Sequence, residues 1–164
     1  MGSTLDNLKE AFAGESQANR KYLAFAKKAD EEGYPQVARL FRAAAAAETV
    51  HAHNHFNVIG GVGSTADNLK AAYEGEHFEF TKMYPEFLEQ AKSEKNNAAL
   101  QTFYWANEVE KVHAQLYQKA LDNLNSLPEA DYYVCSVCGY TCENEAPDSC
   151  PVCKANKKAF FKVD

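Results

Sequence analysis

Two copies of the motif Glu-x-x-His, at Glu48–His51 and at Glu110–His113, are the first residues in this sequence whose types and spacing could support chemistry. Side chains three residues apart on an α-helix project from the same face, so each motif presents a carboxylate and an imidazole that converge. One such motif alone is more often a pair of exposed side chains. Two copies in register predict a metal site, and oxygen-rich ligands with two imidazoles favour iron or manganese over zinc.

A second repeat supplies further glutamates. The segment NLKEAFAGE at residues 7–15 is similar to NLKAAYEGE at residues 68–76, 61 residues later, and the segments end at Glu15 and Glu76. Glu79 lies about one turn beyond Glu76. These glutamates, like those of the Glu-x-x-His motifs, continue apolar stripes of predicted helices, so we expect them on a buried face. Burying five carboxylates without matching lysine or arginine is very costly, which predicts that two metal cations balance their charge.

The cysteines form a second candidate metal site. Cys135 and Cys138 make one Cys-x-x-Cys pair, and Cys150 and Cys153 make another, with 11 residues between the pairs. Paired Cys-x-x-Cys turns converge into a tetrahedral sulfur site for zinc or iron, whereas a catalytic dithiol needs only one pair. Cys142 is left over, and we expect it to be a free thiol.

Four long amphipathic helices must position the glutamates and histidines. Apolar residues at three-and-four spacing, interrupted at glycine and proline, predict helices at residues 4–31, 35–59, 66–92 and 97–124. We expect Pro85 to kink the third helix or to confine its regular part to the residues before it. The predicted fold is an all-α four-helix bundle followed by a small β/loop module that needs metal to fold, with domains at residues 1–126 and 132–164.

The composition argues against several classes of protein. The chain of 164 residues has a net charge of -6 and no basic patch, which argues against a nucleic-acid partner. No apolar run approaches the ~18 residues of a transmembrane helix, and the N-terminus lacks the basic start and apolar core of a signal peptide. We therefore expect a cytoplasmic protein, in which cysteines are more often metal ligands than disulfides.

The segments FAGESQANRKY and GEHFEFTKMYPEF, with the motifs CxxCGY and CPVC, resemble the rubrerythrin family over nearly the whole chain. The resemblance implies a ferritin-like di-iron four-helix bundle joined to a rubredoxin-like domain with one iron in a four-cysteine site. One Glu from each of two helices and Glu-x-x-His from each of the other two is the general ligand pattern of such bundles. It further implies a peroxidase that reduces hydrogen peroxide to water, with electrons passed from an NAD(P)H-linked reductase or rubredoxin through the cysteine-bound iron.

The resemblance also implies a role for each metal-binding residue. Two iron ions with an oxo or hydroxo bridge would share the ligands Glu15, Glu48, His51, Glu76, Glu79, Glu110 and His113. Glu48 and Glu110 would bridge the irons, and His51 would exchange with Glu79 as one iron changes oxidation state. The single iron would be held by Cys135, Cys138, Cys150 and Cys153.

Two tyrosines complete the catalytic residues that the resemblance implies, which are Glu79, His51, Tyr22 and Tyr84. The tyrosines lie about two turns from Glu15 and Glu76 on the same helical stripes. A hydroxyl bonded to a ligand carboxylate is one interpretation of them, and core packing alone is the other.

Two features depart from the family pattern. Lys154 follows the last paired cysteine, where rubredoxin-like sites usually have glycine. The connection GGVGST between the second and third helices spans at most about 20 Å, whereas a crossover along a bundle of such helices needs about 30 Å or more. We therefore hypothesise a homodimer in which helices one and two of one chain pair with helices three and four of its partner. A simple up-down bundle within one chain is the alternative.

Three other functions stay open from the sequence. A ferroxidase or iron-storage protein would use the same ligands, although storage needs no electron input through a cysteine site. An oxygenase or oxygen reductase would use the same di-iron centre. A zinc-ribbon binding module on a structural bundle would contain no iron.

Overall fold

The chain folds into helices followed by a small sheet. The computed structural model describes residues 2–163, and the chain divides into two compact units, Met1–Gly63 and Ser64–Asp164. Within the described residues, no helix is both long enough and apolar enough to span a bilayer. The predicted class, long helices with a C-terminal β/loop module, is confirmed. The domain boundary between residues 126 and 132 stays a prediction.

The first unit is a hairpin of two helices. Helix α1 covers Thr4–Glu31 and begins with a capping box at Ser3, and helix α2 covers Pro35–Ile59 with proline in its first turn. Gly60 ends α2 with a left-handed φ of 78°, which glycine adopts without strain. The buried apolar residues of the hairpin are all alanines, whose small side chains permit close packing of the helices: Ala26, Ala29, Ala38, Ala45 and Ala52.

The buried side-chain amide of Asn19 fixes the register between the two helices of this hairpin. Asn19 on α1 donates from Nδ2 to the carbonyl oxygen of Ala45 at 2.7 Å and to Oγ1 of Thr49 at 2.8 Å, both on α2. Asn19 lies one turn beyond Glu15, and Thr49 directly follows Glu48. The buried hydrogen bonds therefore hold these two glutamates at the same level of the hairpin.

The hairpin leaves part of each predicted apolar stripe uncovered. Leu5 and Val37, which the helical pattern places on the buried side, are 47% and 44% exposed. Two helices bury only the faces that touch each other, so these side chains need a further surface to be buried. In the single chain, these positions of the stripe are therefore not buried.

The second unit begins with a long helix that is interrupted in its middle. Helix α3 covers Thr65–Phe78 and starts with a capping box at Ser64, which repeats the one at Ser3. A π-helical segment follows at Glu79–Met83, and helix α4 continues over Tyr84–Ser93. The repeated cap extends the internal duplication from the sequence to the local structure.

The π-helical segment lies directly before the helical turn that contains Pro85. The N–H of Tyr84 donates to the carbonyl of Glu79, five residues back, and Pro85 has no N–H to donate. The helix continues past this turn to Ser93, so the expectation that Pro85 confines the regular part to the residues before it is wrong. The expected kink stays a prediction. The wider turn also changes which face the residues before and after it present, and such turns are frequent at functional sites.

Helix α5 and a three-stranded sheet complete the second unit. Helix α5 covers Asn97–Asp122 and packs against α3 and α4. The antiparallel sheet has the order β2-β1-β3, with β1 at Tyr132–Cys135, β2 at Thr141–Glu143 and β3 at Phe160–Val163. The buried apolar residues of this small module are Cys135, Ala146 and Cys150. So small a core favours folding around a bound metal.

Candidate metal centres

In the first unit, three of the predicted ligands lie together. Nδ1 of His51 is 2.9 Å from Oε2 of Glu48 on the same helix and 4.0 Å from Oε2 of Glu15 on α1. One ligand atom from each residue lies within 4.8 Å of the other two. A hydrogen bond to Glu48 raises the pKa of Glu15, and the same bond lowers the pKa of Glu48. The two carboxyl groups thus lie in direct contact, as two ligands of one metal cation would.

The second unit repeats this arrangement. Nδ1 of His113 is 2.8 Å from Oε2 of Glu110 on α5 and 3.8 Å from Oε1 of Glu76 on α3. Burial and then the charge of Glu110 raise the pKa of Glu76 to about 7. A cation at this place would remove the reason for that shift, because it would compensate both carboxylates. The donor types, and the burial and close carboxylates that raise this pKa, therefore fit a metal ion.

Each cluster by itself is an incomplete coordination shell. Two carboxylates and one imidazole do not fill the octahedral shell that oxygen-rich iron or manganese sites prefer. All six side chains also retain some exposure, between 15% for Glu110 and 54% for His51. Each cluster therefore has room for ligands beyond its own three.

Of the remaining predicted residues, Glu79 and Tyr84 lie near the second cluster, and Tyr22 lies among aromatic rings of the first unit. Glu79 is the first residue of the π-helical segment and is not part of the three-residue cluster, although burial and then the charge of Glu110 raise its pKa. Burial and then the charge of Glu79 raise the pKa of Tyr84, so its hydroxyl stays protonated next to that carboxylate. Tyr22 packs against Phe25 and Phe41, with ring centroids 6.3 and 6.2 Å away.

The four paired cysteines converge. Sγ of Cys135 lies 3.6 Å from Sγ of Cys153, and Sγ of Cys138 lies 3.5 Å from Sγ of Cys150. A tetrahedron with metal–sulfur bonds of ~2.3 Å has edges of about 3.8 Å, so these sulfurs are spaced for a metal. Burial raises the pKa of the Cys150 thiol, but N–H groups of the following turn outweigh it and lower that pKa overall. Cys142 stands outside the cluster on β2, as a free thiol.

The two Cys-x-x-Cys turns have matching backbones. Gly139 N–H donates to the carbonyl of Cys135 at 2.8 Å, and Lys154 N–H donates to the carbonyl of Cys150 at 3.0 Å. The left-handed φ is 83° at Gly139 and 64° at Lys154. Lys154 therefore adopts the conformation for which glycine is usual, and the departure in sequence does not change the turn. Its Nζ donates to the carbonyl of Pro151 at 2.9 Å.

Comparison with known proteins agrees with both metal sites. The profile of the rubrerythrin family matches residues 6–121, and that of the rubrerythrin rubredoxin-like domain matches residues 133–161. The chain belongs to the rubrerythrin family. It is 40% identical to rubrerythrin-2 of Clostridium acetobutylicum over 174 residues, which cover 96% of this chain and 95% of that protein.

Nigerythrin is a further relative with a solved structure. The protein from Nitratidesulfovibrio vulgaris is 37% identical over 174 residues, covering 98% of this chain and 86% of its own. Its structure in a partially reduced state matches with a TM-score of 0.60 at 37% identity, covering 99% of this chain and 88% of nigerythrin. The ferritin-like fold with a rubredoxin-like module is thereby confirmed.

Family membership and the geometry of the donors together identify the cofactors. Rubrerythrins are oxidoreductases with a di-iron carboxylate site and a rubredoxin-like iron held by four cysteines, and this chain carries the donor groups for both. The predicted cofactors, two iron ions and one cysteine-bound iron, are confirmed. The assignment of each individual ligand stays a prediction.

One residue near the site was not found from the sequence. Oγ1 of Thr141 on β2 lies 3.0 Å from Nε2 of His113 on α5. The two residues are 28 positions apart and belong to different types of element. No periodic pattern or motif relates them, so only the packing of the module against α5 reveals the contact.

Proposed function

We propose that this protein reduces hydrogen peroxide to water in the cytoplasm, with electrons that enter at the cysteine-bound iron from an NAD(P)H-linked reductase or a rubredoxin. The observation that carries the proposal is the presence, in one chain, of carboxylate–histidine clusters and of a complete four-cysteine site. Iron storage needs no electron input, whereas each peroxide needs two electrons and two protons to become two molecules of water. A one-electron cysteine site combined with a two-electron centre suits that demand.

Individual side chains of the site have separate roles in the proposed reaction. The di-iron centre, when bound, supplies the two electrons that cleave the O–O bond. Burial raises the pKa of the Tyr84 hydroxyl, which is therefore protonated at neutral pH and can donate a proton beside the site. His51 and Glu79 would exchange as ligands when one iron changes its oxidation state.

We propose further that the active protein is a helix-swapped homodimer. Only residues 60–64 connect α2 to α3, and five residues span at most about 18 Å. Each unit offers a three-residue cluster, and the first unit leaves apolar side chains such as Leu5 uncovered. A second copy would cover that face and would pair Glu15, Glu48 and His51 with the second-unit ligands of its partner.

Anaerobic stopped-flow absorbance tests the proposed reaction. The fully reduced, iron-loaded protein is mixed with hydrogen peroxide and, separately, with oxygen. We expect fast oxidation by peroxide, with return of the visible absorbance of the oxidised cysteine-bound iron, and a slow reaction with oxygen. An equal or faster reaction with oxygen would instead support an oxygen reductase or a ferroxidase.

The variant Cys150→Ser tests the route of the electrons. Because Cys150 belongs to the cysteine cluster and to neither carboxylate–histidine cluster, the variant should retain the di-iron ligands and, once loaded with iron, should still be oxidised by peroxide in a single turnover. Turnover driven by a reductase and NAD(P)H should stop. Undiminished donor-driven turnover would show that electrons reach the di-iron centre by another route.

A further inference from the structure

The imidazole of His113 is held from both sides within the second unit. Its Nδ1 faces Glu110 and Glu76, and its Nε2 lies 3.0 Å from Oγ1 of Thr141. The hydroxyl of Thr141 in turn donates to the carbonyl oxygen of Gly139 at 3.1 Å, in the turn that follows Cys138. The ring thus connects a carboxylate cluster on the helices to the loop of the cysteine site.

The directions of these hydrogen bonds determine where the ring proton lies. If the single hydroxyl proton of Thr141 points to Gly139, Oγ1 is free to accept a hydrogen bond from Nε2–H of His113. A proton on Nε2 leaves the lone pair of a neutral imidazole on Nδ1, which faces Glu110 and Glu76. That is the tautomer a metal ion at Nδ1 requires, and such outer partners orient metal-bound histidines.

We propose that Thr141 is a positioning residue that fixes the orientation and tautomer of His113 for metal binding through Nδ1. This inference rests on the proposed di-iron site and concerns one of its two histidines. Within the described part of the first unit, the hydrogen bond of His51 joins Nδ1 to Glu48, whereas His113 also has a partner at Nε2. The cysteine module occurs once in the sequence, and within the second unit its Thr141 contacts the histidine of the second Glu-x-x-His motif.

The hydrogen bond at Nε2 would keep Nδ1 of His113 directed at a bound metal. With its ring held in this way, His113 would stay a ligand during the exchange proposed for His51 and Glu79. Glu79 has no counterpart in the first unit, so Thr141 adds to an asymmetry that the ligand set already has.

A second contact between the cysteine module and α5 makes it possible to distinguish two effects. One is the positioning of His113 by the Thr141 hydroxyl, and the other is the packing of the module against α5. Nζ of Lys119 on α5 forms an ion pair with Oε2 of Glu143 on β2 at 2.6 Å, two residues from Thr141. Lys119→Ala removes this ion pair and leaves the Thr141 hydroxyl in place. Thr141→Val removes the hydroxyl and keeps the branched shape, and Thr141→Ser keeps the hydroxyl.

The experiment measures binding of ferrous iron to the full-length protein by anaerobic competition with a chelator, with the cysteine-bound iron counted separately from its absorbance. Loss of an outer partner of a metal-bound histidine typically costs ~10–100-fold in affinity. We expect about tenfold weaker binding at one di-iron position in Thr141→Val, at the lower end because the Gly139 carbonyl also lies beside the ring. Thr141→Ser and Lys119→Ala should bind iron like the wild type.

A second measurement observes the tautomer directly. In zinc-substituted protein, which is diamagnetic, ¹⁵N NMR should show a slowly exchanging proton on Nε2 of His113 in the wild type and in Thr141→Ser. In Thr141→Val that proton should exchange faster. If Thr141→Val binds iron as tightly as the wild type and its Nε2 proton exchanges as slowly, the proposed role of Thr141 is overturned. If Lys119→Ala loses as much iron affinity as Thr141→Val, the effect comes from packing of the module against α5 and the role of the hydroxyl is likewise overturned. Failure of the wild type itself to bind two irons in addition to the cysteine-bound iron would instead contradict the proposed di-iron site.

Discussion

The helix-swapped dimer makes a quantitative prediction about mixtures of two inactive variants. Glu48→Ala removes a ligand of the first unit, and Glu110→Ala removes the repeated ligand of the second unit. The two glutamates lie 2.9 Å and 2.8 Å from their histidines, so the substitutions cause matched damage. In a swapped homodimer of either variant, both di-iron sites lack one carboxylate, and neither should sustain peroxide reduction.

Mixing restores some intact sites if the helices are swapped. Random pairing of equal amounts of the two variants gives about half heterodimers. One site of each heterodimer then carries both substitutions, and the other site carries neither. About a quarter of all sites are intact, so the mixture should regain about a quarter of the wild-type peroxide reduction and di-iron content.

The assay is co-expression of the two variants with different tags, followed by iron loading and measurement of NAD(P)H-dependent peroxide reduction in the mixture. Purification through both tags then isolates the heterodimer, which mass spectrometry confirms and in which about half of the sites should be intact. A mixture of Glu15→Ala with Glu48→Ala is the control, because both changes lie in the first unit and no site escapes damage. Heterodimers without recovered activity would refute the swap, as would a monomeric mass for the active wild type, and the within-chain bundle would remain.

Two further predictions concern single residues. Lys154 has a left-handed backbone conformation, which costs ~1–2 kcal/mol in a residue other than glycine. Lys154→Gly removes that cost, but glycine also stabilises the unfolded chain by ~0.5–1 kcal/mol. We therefore expect a net gain of about 0.5–1 kcal/mol in unfolding monitored by the absorbance of the cysteine-bound iron, and no gain for Lys154→Ala, which keeps the strain. In metal-free protein, burial and the charge of Glu110 raise the pKa of Glu76 from 4.5 to about 7, so the fold favours the protonated form. The stabilisation that protonated Glu76 contributes is complete below its unfolded-state pKa and is lost as the pH rises through about 7. The denaturant midpoint of the wild type should therefore increase as the pH is lowered from about 8 to about 5, and that of Glu76→Gln should increase less.

The helices and the ligand clusters could be predicted because their causes are local or repeated. Apolar spacing and the caps at Ser3 and Ser64 act within a few residues, and the helix bounds follow them closely. The duplicated motifs placed Glu15 with His51 and Glu76 with His113 before any contact was known. Two copies of a pattern at the same spacing are stronger evidence for a set of ligands than either copy alone.

The remaining features depend on packing that sequence patterns do not encode. Pro85 predicts a disturbance, but whether the helix kinks, ends or widens into a π turn depends on what packs against it. The exposure of Leu5 and Val37 depends on a surface outside their own hairpin. The contact of Thr141 with His113 depends on where the module rests on α5.

The internal duplication gives each unit a cluster of two carboxylates and one histidine in nearly the same geometry, and Glu79 adds a third predicted carboxylate to the second unit alone. Peroxide reduction with electrons delivered from outside benefits from inequivalence, because one metal can keep its ligands near the electron entry while the other changes them. The cysteine module occurs once in the sequence, and its Thr141 contacts His113 within the second unit. On the proposed function, the module that would receive electrons therefore also adds to the asymmetry of the duplicated ligands.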